Sequence, residues 1–454
     1  MVQEIRNSTI PKRLQSKPLG FIACILDFQT VRHLPLAAPC SIHSDFLRAL
    51  DPNYHRWLPL LEQMGIVQVE HSWINDPENP HLNRTKRYSI NEEYLRGEME
   101  SITVEIKRKK GKLPPGFIEA EAKACMEQAP IRKDEALAYI REYVTERRFL
   151  NGVRFDAEIT DEIVTVDLMQ KDGRYKSYTY KLENALYKAW KKGLYLIQEG
   201  NRCIMEDKAE YIARKERDIL ISWTRQVLNW ESHRFFASRN DSNWRLDTNF
   251  TVLPSELEQF IGSEGDENTK IDLCNSQHVI NSNIFLQRLN DGSYMSVNFD
   301  DDSVKLYREA SMSGELYEKV AEKCGMASRN EAKIPFLKLT FMKPSAQSPE
   351  KRILSQELGE VVSFFDQMKS RFGNSGFANL LTSTESMLML DGAYAEMRKL
   401  GIWGLTKHDS VTVHKRDVPQ ALEIISKHLL EYLDGFALKV GDEKVVFTNK
   451  IETK

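Results

Sequence analysis

Two short strand-like runs, NTKIDLCN near residue 270 and IWGLTKHDSVTVHKRD near residue 410, stand on either side of a long series of helical patterns. Strands this short cannot satisfy their backbone groups alone, so runs far apart in sequence are expected to meet in one sheet. The first run ends at Asp272. The second reads as a β-hairpin with His408-Asp409 at its turn. Between them, helical spacing predicts helices at 313–324, around 328–342, at 348–372 and at 376–399. A helix VPQALEIISKHLLEYL and a last strand FALKV follow. Strand, helices, hairpin, helix and strand imply an α+β fold around a mostly antiparallel sheet.

The upstream half reads differently. Residues 42–65 suggest two short helices, with Leu47, Leu50, Trp57, Leu58, Leu61 and Met64 at helical spacings and Pro52 between them. The strand-like IVQVEHSWI, a polar Asn- and Pro-rich loop and the strand-like KRYSI come next, so residues 1–105 have the order of a winged helix-turn-helix or of an ordinary α+β lobe. The run IKRKKGKLPPG over 106–116 is a basic linker or exposed arm. Residues 117–230 are expected to be largely helical, through DEALAYIREYVTERRFL and AEYIARKERDILISWTRQVLNW, with the strand-like pieces EIVTVDLM and SYTYKL between. Trp73, Trp190, Trp223, Trp230 and Trp244 read first as core or interface residues, and second as surfaces on which single-stranded bases could stack.

Charge and cysteine usage narrow the class. The 63 Lys and Arg against 66 Asp and Glu leave a formal net charge of -3, so a polyanion partner would be held by local basic patches. The six cysteines have no metal or disulfide-framework spacing, and the start has no long apolar segment; free thiols and a cytoplasmic setting without a membrane span are expected. No Walker A motif, GxGxxG, zinc spacing or GxSxG elbow is present. The acidic triplet Asp300-Asp301-Asp302 is read as the capping region of a helix.

The residues that point to chemistry lie in the C-terminal half. If the strands carrying Asp272 and Asp409 are neighbours, both carboxylates emerge at one sheet edge and can share a pair of divalent ions. Hard oxygen ligands of this kind suit Mg²⁺, which is commonly held by one or two carboxylates together with substrate phosphates. Between them, Ser328 is placed to cap a helix on which Arg329, Lys333, Leu337 and Phe341 recur every four residues along one side. The two cations can take phosphate oxygens while the ring meets a base or sugar. Pro335 should bend or interrupt this helix.

In this order the segments resemble the palm and fingers of the family A (DNA polymerase I-like) polymerases and their relatives, the single-subunit phage-type RNA polymerases. Asp272 with Gln277 looks like motif A, Arg329-x3-Lys333-x7-Phe341 like motif B on the O helix, and His408-Asp409-Ser410 like motif C. The stretch Trp244 to Asn249 is similar to the family's segment before motif A. The resemblance covers about residues 230–440 and implies a right-hand polymerase core over 231–454, behind a winged-helix-like module (1–105), the basic linker (106–116) and a helical, thumb-like region (117–230). It implies that Asp272, Asp409 and the backbone carbonyl of Leu273 hold two Mg²⁺ ions. Arg329 and Lys333 would grip the triphosphate, Lys333 serving also as general acid, with Leu337, Phe341 and Gln277 lining the nucleotide site. His408 would support the primer terminus, and Arg245, Arg239 and Thr382 would touch the primer-template.

The implied activity is template-directed nucleotidyl transfer on a DNA primer-template with nucleoside triphosphates, without proofreading, in a replication enzyme of a mobile element, plasmid or phage that works with other replication proteins. On the sugar the residues point both ways. Gln277 stands where DNA polymerases carry a Glu, and Phe341 keeps the stacking surface of an RNA polymerase Tyr but lacks its hydroxyl. The reading taken is a DNA polymerase. The alternatives are a single-subunit RNA polymerase or primase, and a non-catalytic replication or DNA-binding protein with a polymerase-like core. Thr382 stands where the family commonly carries a Gln, and the short interval between Asp272 and Asp409 implies a trimmed fingers region.

Overall fold

In a computed structural model the chain forms two compact units, residues 1–113 with 133–229 and residues 114–132 with 230–454. The structure describes residues 2–8, 10, 15–31, 36–42, 47, 51, 53–70, 86–95, 116–161, 163–169, 175–199, 202–240, 243–263, 265, 267–286, 297–346 and 348–449. The basic run over 107–112 and Trp73 lie outside the described residues, as does most of the first of the two helices expected near residue 45.

The first unit contains two sheets. Helix α1 (Ser16–Val31) precedes β1 (Cys40–Ser41), and α2 (Leu58–Gln63) precedes β2 (Val67–Glu70) and β3 (Arg87–Ile90). The three strands pair antiparallel in the order β1-β3-β2. Phe21 of α1 meets Trp57 and Tyr88 at ring-centroid distances of 5.5 and 5.3 Å, and the Trp57 indole donates to Asp51 at 2.7 Å. Paired in this way, a buried Asp is tolerated in an aromatic core.

After α3 (Lys133–Thr145), the chain forms β4 (Val153–Phe155), β5 (Ile163–Met169), β6 (Tyr175–Lys181), α4 (Leu182–Lys191), β7 (Tyr195–Glu199), β8 (Arg202–Glu206) and the long α5 (Lys208–Glu231). The strands form a sheet in the order β4-β7-β8-β5-β6, in which β5 and β8 are parallel and the other pairs antiparallel. A stretch expected to be mostly helical thus carries a five-stranded sheet. The runs YLIQE and RCIME are short, and their apolar positions pair with α4, so neither shows the long alternation by which a strand is read from sequence.

In the second unit a small hairpin, β9 (Ala237–Arg239) with β10 (Leu246–Thr248), precedes the central sheet. That sheet has the order β12-β13-β11-β14-β15 and is antiparallel throughout, with β11 (Asn268–Leu273) in the middle. After β11 come α6 (Ser276–Ile280), α7 (Asp302–Ser313), α8 (Leu316–Lys323), α9 (Arg329–Phe341), α10 (Pro349–Glu357), α11 (Gly359–Phe372) and α12 (Asn374–Ser386), then β12 (Gly404–Lys407), β13 (Ser410–His414), α13 (Val418–Leu430), β14 (Gly435–Val440) and β15 (Glu443–Thr448). The molecule is a mixed α+β protein. Its largest core joins Ile271 and Leu273 of β11 to the helices around His278, Tyr307, Phe336 and Phe365.

Several elements differ from expectation. The helix expected over 348–372 is two helices, broken at the buried Leu358, whose φ of -133° turns the chain before Gly359. The helix expected at 376–399 begins at Asn374 and passes through a π-helical stretch, Met387–Tyr394. Pro335 does not interrupt α9, which runs unbroken to Phe341. The carbonyl that loses its donor belongs to Glu331, on the exposed first turn, where water can replace the missing bond. The last strand pairs with an additional one, β15, whose GDEK turn and alternating exposure place it at the sheet edge. Asp301 caps α7 by accepting from the Ser303 N–H at 2.8 Å, as expected of the acidic triplet.

Candidate active site

The site begins with strand periodicity. Along β11, Ile271 and Leu273 face the core, so Lys270 and Asp272 share the other face. Asp272 stands opposite Ser410 of β13 on one side and Lys439 of β14 on the other. The β12–β13 connection is the dipeptide His408-Asp409, with His408 in the left-handed region at φ +58°, which closes the hairpin tightly. The Leu273 N–H then donates to the Asp409 carbonyl at 3.1 Å. This register brings the two aspartates to one end of the sheet.

Their electrostatics follow from that proximity. The Asp272 carboxyl is pushed up to about 6, first by burial and then by the negative charge of Asp409, while Lys270, 3.7 Å away, and Lys439 act in the opposite direction. A buried carboxyl raised in part by a neighbouring negative charge marks a place where a cation is favoured. Among the described residues no group of three or more His, Cys, Asp or Glu side chains is arranged as a metal cage. Two carboxylates and a strand-end carbonyl nevertheless fit Mg²⁺, which keeps waters and substrate oxygens in the rest of its shell.

His408 Nδ1, beside Asp409, and Arg245 Nε, whose charge acts on His408, are buried without a hydrogen-bond partner in the protein, as is Gln277 Oε1 in the first turn of α6. Such atoms can be completed by solvent or by a bound ligand. The His408 imidazole is held down to about 4 by burial and by the Arg245 charge, which outweigh Asp409; it is neutral at pH 7.

Arg245 comes from the β9–β10 hairpin and donates to Glu385 of α12 at 2.7 Å, and the other Glu385 oxygen accepts from the Ser276 hydroxyl at 2.6 Å. Glu385 is 2% exposed, and its carboxyl is raised by burial and by Asp409 against the pull of Arg245. Glu385, Ser276, Lys270 and Lys439 were not among the residues expected at the site. The signal available for Glu385 is an acid inside the otherwise apolar and hydroxylic helix NLLTSTESMLML. Arg239, on the same hairpin, pairs through both guanidinium nitrogens with Asp391, at 2.6 and 3.0 Å.

Helix α9 supplies the cations. Ser328 caps it by accepting from the Glu331 N–H at 3.2 Å, and Arg329 pairs with Glu318 at 2.9 Å. Arg329 and Lys333 both lie over the Tyr317 ring, at 5.3 and 5.9 Å from its centroid. Burial raises the Tyr317 phenol, and the charges of Arg329 and Asp409 both act on it. Tyr317, also absent from the expected set, thus lies between the cationic helix and the carboxylate edge.

The remaining residues are more distant or differently engaged. Leu337 is half-buried against the core. Phe341 is exposed at the far end of α9, roughly 18 Å along the axis from Arg329 at the usual helical rise. Thr382 is buried, and its hydroxyl donates to the carbonyls of Ala378 and Asn379 in its own helix, at 3.0 and 3.1 Å. The structure therefore brings together Asp272, Asp409, His408 and Arg245, with Arg329 acting on the same Tyr317 as Asp409, and leaves Phe341 at the far end of α9.

No protein family and no curated protein matches the chain. Among solved structures it is similar to the "POL domain of Pol1 from M. smegmatis complex with DNA primer-template and dNTP", with 13% identity and a TM-score of 0.38. That likeness covers 72% of this chain and spans 66% of the length of the other.

Proposed function

We propose that residues 231–454 carry out template-directed nucleotidyl transfer, with Asp272 and Asp409 as the ligands of a Mg²⁺ pair. One observation carries the reading: two aspartates meet at one end of an antiparallel sheet, where the charge of Asp409 helps to raise buried Asp272, and the Arg329 start of a helix acts on the same Tyr317 as Asp409. In this reading the sheet is a polymerase palm, α8 to α11 belong to the fingers, and residues 1–105 form a winged-helix-like module, in keeping with the β1-β3-β2 sheet order and with α2 leading into β2 and β3.

The Mg²⁺ pair, when bound, lowers the pKa of a primer 3′-hydroxyl and offsets charge on the transferring phosphoryl group. Asp272 and Asp409, with the Leu273 carbonyl, hold it. In this reading Arg329 and Lys333 bind the triphosphate oxygens near the positive end of α9, and Lys333 would protonate the leaving pyrophosphate. Neutral His408 orients the primer terminus through its free Nδ1. Arg245, held by Glu385 and with its side chain 27% exposed, contacts the primer-template in this reading. Catalysis of this kind depends on positioning and preset charge.

The test is extension of a labelled primer on DNA and RNA templates, with dNTPs and NTPs in separate lanes. Mg²⁺-dependent extension with dNTPs on DNA, lost in Asp409→Ala, is the expected result. Extension with NTPs alone would transfer the reading to an RNA polymerase or primase, and a lack of extension in every lane would favour a DNA-binding protein without catalysis.

A further inference from the structure

A second surface, in the first unit, is built in a way that core packing does not explain. Helix α4 presents its small residues inward: Ala185 and Ala189 are buried with Val164, Val166, Leu196 and Cys203, and Leu182 and Leu186 are half-buried beside them. Its two large rings face outward. Tyr187 is 60% and Trp190 75% exposed, with ring centroids 5.9 Å apart and planes 33° apart. An ordinary amphipathic helix has the opposite arrangement, because burying an aromatic ring is worth more than burying an alanine.

The surface continues onto the neighbouring strand. Tyr178 and Tyr180 of β6 lie stacked, with centroids 6.2 Å apart, and the Lys188 ammonium sits 4.1 Å from the Tyr180 ring centroid. Lys181, Lys188, Lys191 and Lys192 are all exposed, and Glu183 is the one acid in that stretch. Flat rings alternating with cations, on a helix that exposes no large aliphatic side chain, match a partner that offers π-faces and phosphates together.

We propose that this face of α4 and β6 binds single-stranded nucleic acid, with unpaired bases stacked on Tyr187 and Trp190 and the backbone phosphates met by Lys188, Lys191 and Lys192. The surface belongs to the first unit and the carboxylate site to the second, and the proposal stands whether or not that second site is catalytic. A protein partner would be expected to meet aliphatic side chains as well as rings, and a membrane surface would need an apolar face deeper than two rings.

The experiment is fluorescence anisotropy of a labelled oligothymidylate with the full chain. Tyr187→Ala/Trp190→Ala should weaken binding about tenfold or more, as loss of base stacking does elsewhere, whereas Trp190→Phe should stay close to the unmodified protein. Lys191→Gln/Lys192→Gln should lower the slope of log affinity against log salt by about one. A 5-iodouracil oligonucleotide should cross-link under ultraviolet light to the peptide that contains Trp190. Equal affinities for the unmodified protein and the Tyr187→Ala/Trp190→Ala variant, cross-links confined to other peptides, or a gain of binding only with anionic vesicles would overturn the proposal.

Discussion

His278 shows how far burial governs single residues here. Its imidazole packs among Tyr307, Tyr317, Phe336 and Phe365, and burial lowers it to about 3. A histidine that is neutral when folded and protonates near 6.5 when unfolded contributes stability that is complete above about pH 6.5 and is lost as pH falls toward the folded value. Between pH 7 and pH 5 this group should remove about 2 kcal/mol. Urea midpoints at the two pH values should show that loss, and His278→Phe should reduce it markedly. Glu385 is likewise governed by burial, which with Asp409 raises its carboxyl against the opposing charge of Arg245. Truncation to Ala leaves Arg245 without its counter-charge and should cost about 3 kcal/mol in urea unfolding, with a smaller further loss when Arg245 is removed as well. Additive losses in that double-mutant cycle would show that the pair is not coupled.

At the scale of elements, the junction after α7 is the most constrained. Gly314 ends that helix at φ +73°, and a Cβ there would lie 2.9 Å from Ala437 and 3.1 Å from Cys274, beside the strand that carries Asp272. Gly314→Ala should therefore destabilise the protein by about 1–3 kcal/mol, read as a lower thermal midpoint, whereas Gly325→Ala, where nothing crowds the added carbon, should lose less. Much of this unit was legible in the sequence. Asp272 and Asp409 stood out because β11 and β13 alternate cleanly, and Ser328 because a cap followed by a helical run has few other uses. Other features had no local signal. The break at Leu358 and the π-helical stretch after Ser386 arise where buried side chains and neighbouring helices decide the backbone, and β7 and β8 acquire their pairing only from the sheet they join. Tyr317 and Glu385 enter the site through contacts between distant segments, which no spacing reveals.

Across the whole molecule, two units divide the chain, and each carries one of the two proposed nucleic-acid sites: the carboxylate edge in the second and the ring-and-lysine face in the first. Among the described residues, no helix is long and apolar enough to cross a membrane. With a formal charge of -3, attraction to a polyanion has to come from such local surfaces, so binding of a primer-template should weaken steeply with added salt. The central claim is that Asp272 and Asp409 act together in phosphoryl transfer. Single-turnover nucleotide incorporation at fixed Mg²⁺, comparing the unmodified protein with Asp272→Asn, tests it most directly. The account predicts a fall of about a thousandfold or more with the circular dichroism spectrum unchanged. Incorporation at an undiminished rate in Asp272→Asn would contradict it.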